Sequence, residues 1–247
     1  MPASREEHTV KRFDQEMERL RRYVMEMGGL VESQIRQAVT ALFEEDLGLA
    51  REIIDRDHQV NALEVRIDEL ITDIIARRQP MASDLRTVMM LSKTVTDLER
   101  IGDEAERIAR TALRIYSENS ASPQGRLLRD VQTMANLAGA MLHDCLDALV
   151  RQDVEKAAAI THRDADLDDV FGDALRRLVT YMMEDPRTIG QATNVMFMIK
   201  GLERIGDHAK NIAEYVIFMV KGRDIRHLDM SAISSDLLHN DPPTPAS

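Results

Sequence analysis

Apolar residues recur along two long stretches of the chain at alternating steps of three and four residues. One stretch runs from residue 88 to residue 116, and the other runs from residue 192 to residue 216. A repeat of this period is typical of helices that pack side by side in left-handed bundles. The apolar positions are Val88, Leu91, Val95, Leu98, Gly102, Ala105, Ala109, Ala112 and Tyr116 in the first stretch, and Ala192, Val195, Ile199, Leu202, Gly206, Ala209, Ala213 and Val216 in the second.

The same reading along the whole chain predicts six helices. Pro80 ends the second helix, because a residue before proline avoids the helical conformation. Ser83 is a candidate N-cap of the third helix, and Gly222 is a candidate C-cap of the sixth. Pro186 suits the first turn of the sixth helix. The predicted ranges are about 9–45, 46–78, 84–118, 126–151, 153–184 and 186–221.

An internal repeat relates the two halves of the chain. The hexamer LERIGD occurs at residues 98–103 and again at 202–207, and the match extends on both sides. Farther upstream, residues 38–61 match residues 145–168 at nearly the same spacing. The chain therefore consists of two copies of a unit of roughly a hundred residues.

The repeat and the helical pattern together predict an all-α fold. Each copy supplies three helices, so we expect two tandem, similar antiparallel three-helix bundles related by a pseudo-two-fold axis. The first bundle should span residues 9–118 and the second residues 126–221, with residues 228–247 forming a disordered tail rich in proline.

Composition and charge restrict the function. A formal net charge of −11 argues against nucleic-acid binding and gives no general attraction for phosphate. The sequence contains neither of the glycine-rich loops that cradle nucleotides. The single cysteine, Cys145, corresponds to Ala38 in the repeat and is interpreted as a core residue. No stretch predicts a signal peptide or a membrane span, so we expect a cytoplasmic protein.

Carboxylates form stripes beside the apolar seams. Glu99 and Asp103 lie one helical turn apart on the third helix, and Glu203 and Asp207 repeat them on the sixth. Carboxylates at this spacing on facing helices can chelate a cation, whereas a solvated helix face would carry the same pattern without a function. The corresponding positions on the second and fifth helices are Asp57, Asn61, Asp164 and Asp168.

Histidines do not suggest a catalytic or zinc site. None of the seven has the spacing of a zinc motif, and there is no nucleophile elbow. His208 corresponds to Glu104 in the repeat, and we interpret it as an exposed polar residue.

Four segments resemble the PhoU family of phosphate-transport accessory proteins. The resemblance covers nearly the whole chain, and the doubled hexamer is specific. The segments are RQPMASDLR (78–86), LERIGDEAERIA (98–109), LERIGDHAKNIAEYVIF (202–218) and VKGRDIRH (220–227).

This resemblance implies more than the pattern alone. Members of the family are pairs of three-helix bundles whose E/D-x-x-x-D motifs bind metal ions, which here correspond to Glu99, Asp103, Glu203 and Asp207. The metal, whether iron, zinc, manganese or magnesium, stays open. The first motif is followed by Arg107 and Arg110, where the second has Asn211 and Glu214, so we expect a weaker first site.

The resemblance also implies a regulatory role. Such proteins repress the phosphate-starvation response, modulate phosphate uptake and often form homodimers. They couple the ATPase subunit of the phosphate transporter to a sensor histidine kinase, and they reach the membrane only through these partners. The alternative is a di-metal carboxylate bundle enzyme, which would need Glu-x-x-His pairs that the stripes lack. We therefore expect no enzymatic activity.

Overall fold

The computed structural model describes residues 3–117 and 125–222. Within these residues the chain forms helices and no strand, which confirms the all-α prediction. The predicted disordered tail, residues 228–247, lies outside the described residues. The elements are α1 (Ala3–Phe43), α2 (Leu47–Arg78), α3 (Ser83–Ser117), α4 (Gly125–Arg151), α5 (Val154–Glu184) and α6 (Ile189–Lys221), with one turn of 3₁₀ helix at Pro186–Thr188.

Local side chains define where several helices begin and end. Asp46 and Asp153 are equivalent in the repeat, and each accepts a hydrogen bond of 2.9 Å from a backbone N–H in the first turn of α2 or α5. Gly222 ends α6 in the left-handed conformation, with φ of 70°, as predicted.

The start of the sixth helix differs from the prediction. Pro186 lies in the 3₁₀ turn, and α6 begins only at Ile189. Asp185 accepts a hydrogen bond of 3.1 Å from the Arg187 backbone N–H and holds this tight turn in place. The sequence pattern did not show the short 3₁₀ turn, because proline suits the first turn of either helix type.

The six helices form two three-helix bundles that pack against each other. Helices α1 to α3 pair with one another, as do α4 to α6, and the bundles meet through α3 against α6 and α1 against α4. Helices α2 and α5 contact only helices of their own bundle. The predicted acidic residues therefore lie on two helix pairs, α2 with α3 in the first bundle and α5 with α6 in the second.

Helices α3 and α6 run antiparallel across the interface between the bundles. Asp97 contacts His208, whereas Glu104 approaches Gly201, so the residue numbers rise on one helix as they fall on the other. Helices α1 and α4 are also antiparallel, since Leu146 packs on Gly28 and His143 pairs with Glu32.

The core is apolar and runs through both bundles. Large side chains such as Leu20, Ile67, Leu98 and Met141 are almost completely buried. Burying each such side chain contributes about 1.5–3 kcal/mol before entropy is counted. Cys145 is also fully buried, as predicted, and burial raises the pKa of its thiol.

Candidate functional site

Helices α2 and α3 place six carboxylates within electrostatic reach of one another. We call these residues the first acidic cluster. For three of these residues, the charge of another member is one cause of the pKa shift, as expected if the acidic stripes on α2 and α3 face each other. The members are Asp57, Glu64, Asp68, Glu99, Asp103 and Glu106.

Burial and mutual repulsion raise the pKa of three members. Burial and then the charges of Glu106 and Asp103 raise the pKa of Asp57, which is only 8% exposed. Burial, Asp103 and Glu64 likewise raise the pKa of Glu99. For Glu64, burial is again the first cause of a raised pKa, followed by the charge of Asp68. Ionised carboxylates therefore destabilise this surface until a cation or a proton compensates them.

Two buried oxygens in this region accept no hydrogen bond. They are Oδ1 of Asp57 and Oε1 of Gln34, a residue of α1 that is 5% exposed. A Cβ built on Gly102 would lie 3.7 Å from the Asp57 oxygen and 3.4 Å from the Gln34 oxygen. The oxygens therefore converge on the small gap that this glycine leaves. Buried acceptors without donors are costly, and a bound cation would satisfy both.

Asn61, which the sequence predicted as a metal ligand, does not point into this gap. It is exposed and donates a hydrogen bond of 3.2 Å to Oδ2 of Asp57. Oδ2 of Asp57 therefore accepts a hydrogen bond, whereas its Oδ1 accepts none. Asn61 therefore orients the carboxylate.

Helices α5 and α6 form a second acidic cluster of Asp164, Asp168, Glu203 and Asp207. Burial, followed by the charges of Glu203, Asp164 and Asp168, raises the pKa of Asp207 to about 6 although its outer edge is open to solvent. For Asp168, burial and then Asp164 and Glu203 raise the pKa.

Lysines neutralise part of the second cluster. Lys210 donates to Asp164 at 2.5 Å, and Lys200 donates to Glu203 at 2.5 Å. The equivalent of Lys210 in the first bundle is the acidic Glu106, which pairs with Arg110 at 2.5 Å.

In the second bundle, unlike the first, apolar side chains fill the gap beside the equivalent glycine, Gly206. A Cβ on Gly206 would collide with the side chain of Leu167, and Met141 lies 3.7 Å away. These residues stand where the first bundle has Val60 and Gln34.

Both arginines that follow the motif of the first bundle pair with glutamates of their own helix. Arg107 pairs with Glu104 at 2.9 Å on the side facing α6. Arg110 pairs with Glu106 at 2.5 Å at the edge of the cluster. Each arginine is therefore partly neutralised by its partner, although the charge of Arg110 still reaches Asp57, where it opposes the rise in pKa.

The two clusters therefore fit a cation unequally. Within the described residues, no three His, Cys, Asp or Glu side chains converge closely enough to hold a metal ion together. The first cluster nevertheless offers unpaired buried oxygens, including one from a glutamine. Gln34 was not predicted as a ligand from the sequence. The only sign of it in the sequence is that a polar residue occupies the position of the apolar Met141 in the other repeat.

His208 is not the exposed residue that the repeat indicated. It is 8% exposed, and its Nδ1 lies 2.7 Å from Oδ1 of the equally buried Asp97. Asn211 donates to the same carboxylate oxygen at 3.3 Å. The prediction was wrong because α3 of the other bundle covers this face of α6.

Comparison with known proteins identifies the family. The model of the PhoU domain matches residues 24–112 and again residues 131–216. The chain belongs to the PhoU family. The two matches fall on the two bundles, so the tandem arrangement predicted from the repeat is confirmed.

Curated PhoU relatives resemble the chain over most of their length. A Pseudomonas putida protein named phosphate-specific transport system accessory protein PhoU homolog is 45% identical over 93% of this chain and 89% of its own. The Escherichia coli (strain K12) phosphate-specific transport system accessory protein PhoU is 44% identical over 90% of each chain.

Solved PhoU structures share the fold. The crystal structure of PhoU from Pseudomonas aeruginosa superposes with a TM-score of 0.81 at 46% identity, covering 85% of this chain and all of that one. The phosphate transport system regulatory protein PhoU from Streptococcus pneumoniae gives 0.77 at 28% identity, over 86% of this chain and 98% of that one.

Proposed function

We propose that this protein is an accessory regulator of phosphate transport that represses the phosphate-starvation response and modulates phosphate uptake. The supporting observation is the relationship over nearly the whole chain to proteins named as accessory or regulatory members of the phosphate transport system. In this proposal the protein works by binding other proteins and has no catalytic activity.

The proposed partners are the ATPase subunit of the phosphate transporter and the sensor histidine kinase. No helix in the described part of the chain is both long and apolar enough to cross a membrane. The protein would therefore act in the cytoplasm and reach the membrane by docking to these partners, as a homodimer. Its acidic surface would make association sensitive to salt, because ions screen electrostatic steering.

Deletion of the gene tests this proposal. We expect a strain without it to express the phosphate-starvation genes in abundant phosphate, and the wild-type gene on a plasmid should restore repression. Normal repression in the deletion strain, with no second copy of the gene present, would contradict the regulatory role. Capture of the purified kinase or ATPase by the tagged protein, measured at low and high salt, tests the direct contact.

We also propose that the acidic clusters bind a metal ion and that the first cluster binds it more tightly. Asp57, Glu99, Asp103 and Gln34 would hold the ion in the first bundle through carboxylate and amide oxygens. The unpaired oxygens of Asp57 and Gln34 support this ranking. A metal ion there would supply positive charge that fixes the α1–α2–α3 surface. This ranking reverses the expectation drawn from the arginines of the first bundle.

The second cluster would bind metal more weakly, through Asp164, Asp168, Glu203 and Asp207. Two of its four carboxylates already pair with lysines. A metal ion would have to displace these ammonium groups, which costs part of its binding free energy.

Matched double variants test the metal proposal. Glu99→Ala with Asp103→Ala should remove more bound metal than Glu203→Ala with Asp207→Ala, as measured by mass spectrometry after equilibration with manganese, iron or zinc. Circular dichroism checks that both variants stay helical. Equal metal in wild type and both variants would show that the acids are a solvated face.

Gln34→Met separates the first cluster from the second. This change installs the residue that the second bundle has at the equivalent position, Met141. It removes one proposed ligand and should weaken metal binding without changing the charge. Unchanged affinity would mean that the Gln34 oxygen is not a ligand.

A further inference from the structure

A basic groove lies between the C-terminal half of α3 and the N-terminal half of α6. Its cavity has a volume of about 350 Å³, and Glu104 is the one carboxylate among its lining residues. Such a concentration of positive charge is unusual on a chain whose net charge is −11. The cationic lining residues are Arg107, Arg110, Arg114, Lys200 and Arg204.

Glu104 orients two of these cations and does not neutralise the groove. Its side chain is only 5% exposed and pairs with Arg107 at 2.9 Å and with Arg204 at 2.5 Å. One carboxylate between two guanidinium groups leaves a net positive charge, and both guanidinium groups remain about half exposed. Arg110 and Lys200 pair with Glu106 and Glu203, which do not line the cavity. The charge that remains for an anion is therefore that of Arg107, Arg114 and Arg204 against Glu104. Arg114 is exposed and forms no ion pair within the described residues. The groove is thus set up to attract an anion.

The other end of the same helix pair shows that packing does not require these arginines. By the internal repeat, Arg107 corresponds to Asn211 and Arg114 to Phe218. There the interface is closed by the buried pair of Asp97 and His208. Equivalent helices therefore pack with a neutral or aromatic residue in place of Arg107 and Arg114, whereas Arg204 corresponds to another arginine, Arg100. Packing alone explains neither Arg107 nor Arg114.

An exposed aromatic ring lies at the edge of the groove. Phe197 is 66% exposed and lines the cavity together with the cations. A planar ring beside guanidinium groups suits a ligand that joins phosphate to an aromatic base, because bases stack on rings and phosphates bind arginine bidentately. The cavity volume falls within the range of small-molecule sites.

We propose that this groove binds a nucleoside polyphosphate. Its phosphates would lie between Arg107, Arg114 and Arg204, and its base would stack on Phe197. The contacts come from side chains on two helices, so the site needs no glycine-rich loop. The local charge of the groove outweighs the net charge of the chain at this distance, because salt screens charges beyond about 10 Å.

Calorimetric titration of the full chain with ATP at about 0.1 M salt tests the proposal, because distant charges are screened there. We expect saturable binding at one site per chain. Arg114→Glu should weaken it by about tenfold or more, since it reverses a charge that contacts phosphate. The control Arg129→Glu makes the same charge change on an exposed position of α4 that does not line the groove, and it should leave the affinity within about twofold.

Phe197→Ala tests the base contact. It should weaken ATP but leave inorganic tripolyphosphate unchanged, since only ATP carries a base. Absence of ATP binding, or an equal loss from Arg129→Glu and Arg114→Glu, would overturn the site. Equal affinity for ATP and tripolyphosphate, or binding of an acidic phosphopeptide in place of ATP, would overturn the assignment to a nucleotide. These binding measurements do not depend on the phenotype of the deletion strain. The nucleotide site and the regulatory role can therefore each be contradicted without the other.

Discussion

Replacing Asp207 with Asn should stabilise the metal-free protein at neutral pH and not at acid pH. Burial and neighbouring carboxylates raise the pKa of Asp207 from 3.8 to about 6. A shift of this size corresponds to about 3 kcal/mol of unfavourable interaction of the ionised form at about 1.4 kcal/mol per unit. Because the side chain is partly open to solvent, screening reduces the expected effect to about 1 kcal/mol.

The sign of the pH dependence follows from proton binding. Between pH 3.8 and about 6 the folded state holds a proton on Asp207 that the unfolded state has lost, so the stability of wild type falls as the pH rises through this window. The Asn variant carries no such charge. Its advantage should therefore be greatest above pH 6 and should vanish near pH 4.

Urea unfolding followed by circular dichroism measures this difference across the pH range, with a chelator present. Asp166→Asn is the matched control, because Asp166 is an exposed residue of α5 outside both clusters. A pH-independent difference, or a variant that is less stable at pH 7 than wild type, would refute the reasoning.

Three further predictions concern the packed interior. His208→Ala should lower the free energy of unfolding by about 2 kcal/mol, because it leaves the buried carboxylate of Asp97 with a weaker partner; urea unfolding measures it. Gly206→Ala should cost about 1 kcal/mol by the same assay, since the new methyl group overlaps Leu167 and the gain in helix propensity offsets only part of the strain. Cys145 should resist a thiol reagent in the native protein and react on unfolding, as absorbance of the released chromophore would show.

The controls for the glycine and histidine variants come from the repeat and from an exposed position of α5. Gly102→Ala is the counterpart of Gly206→Ala, and its new methyl group meets its nearest neighbours at 3.4 Å, so in the metal-free protein it should be neutral or stabilising. Equal losses at the two glycines would contradict the packing argument. His162→Ala removes an exposed histidine and should change little. Rapid modification of the native thiol would contradict the burial of Cys145.

The sequence by itself determined the helices, the duplication and the stripes of acids. A 3.5-residue period specifies which face of α3 is buried, and the doubled hexamer shows that α6 uses the same face. The acids of α2 and α3 could be expected to face each other because both flank buried seams of adjacent helices.

The tertiary structure decided which helix covers which face across the two halves. The period of a helix does not specify its distant partner or the register of their contact. The antiparallel crossing of α3 and α6 buries His208 against Asp97 and gathers the arginines of the basic groove, although Asp97 and His208 are 111 positions apart in the chain.

The same limit explains the difference between the two acidic clusters. The sequence shows Gln34 and Leu167 only as residues on helices α1 and α5. Packing brings the Gln34 oxygen to Asp57 beside Gly102, and it places Leu167 in the equivalent gap beside Gly206. Whether a gap between helices is polar and open or filled by a side chain depends on these long-range contacts, which local pattern does not encode.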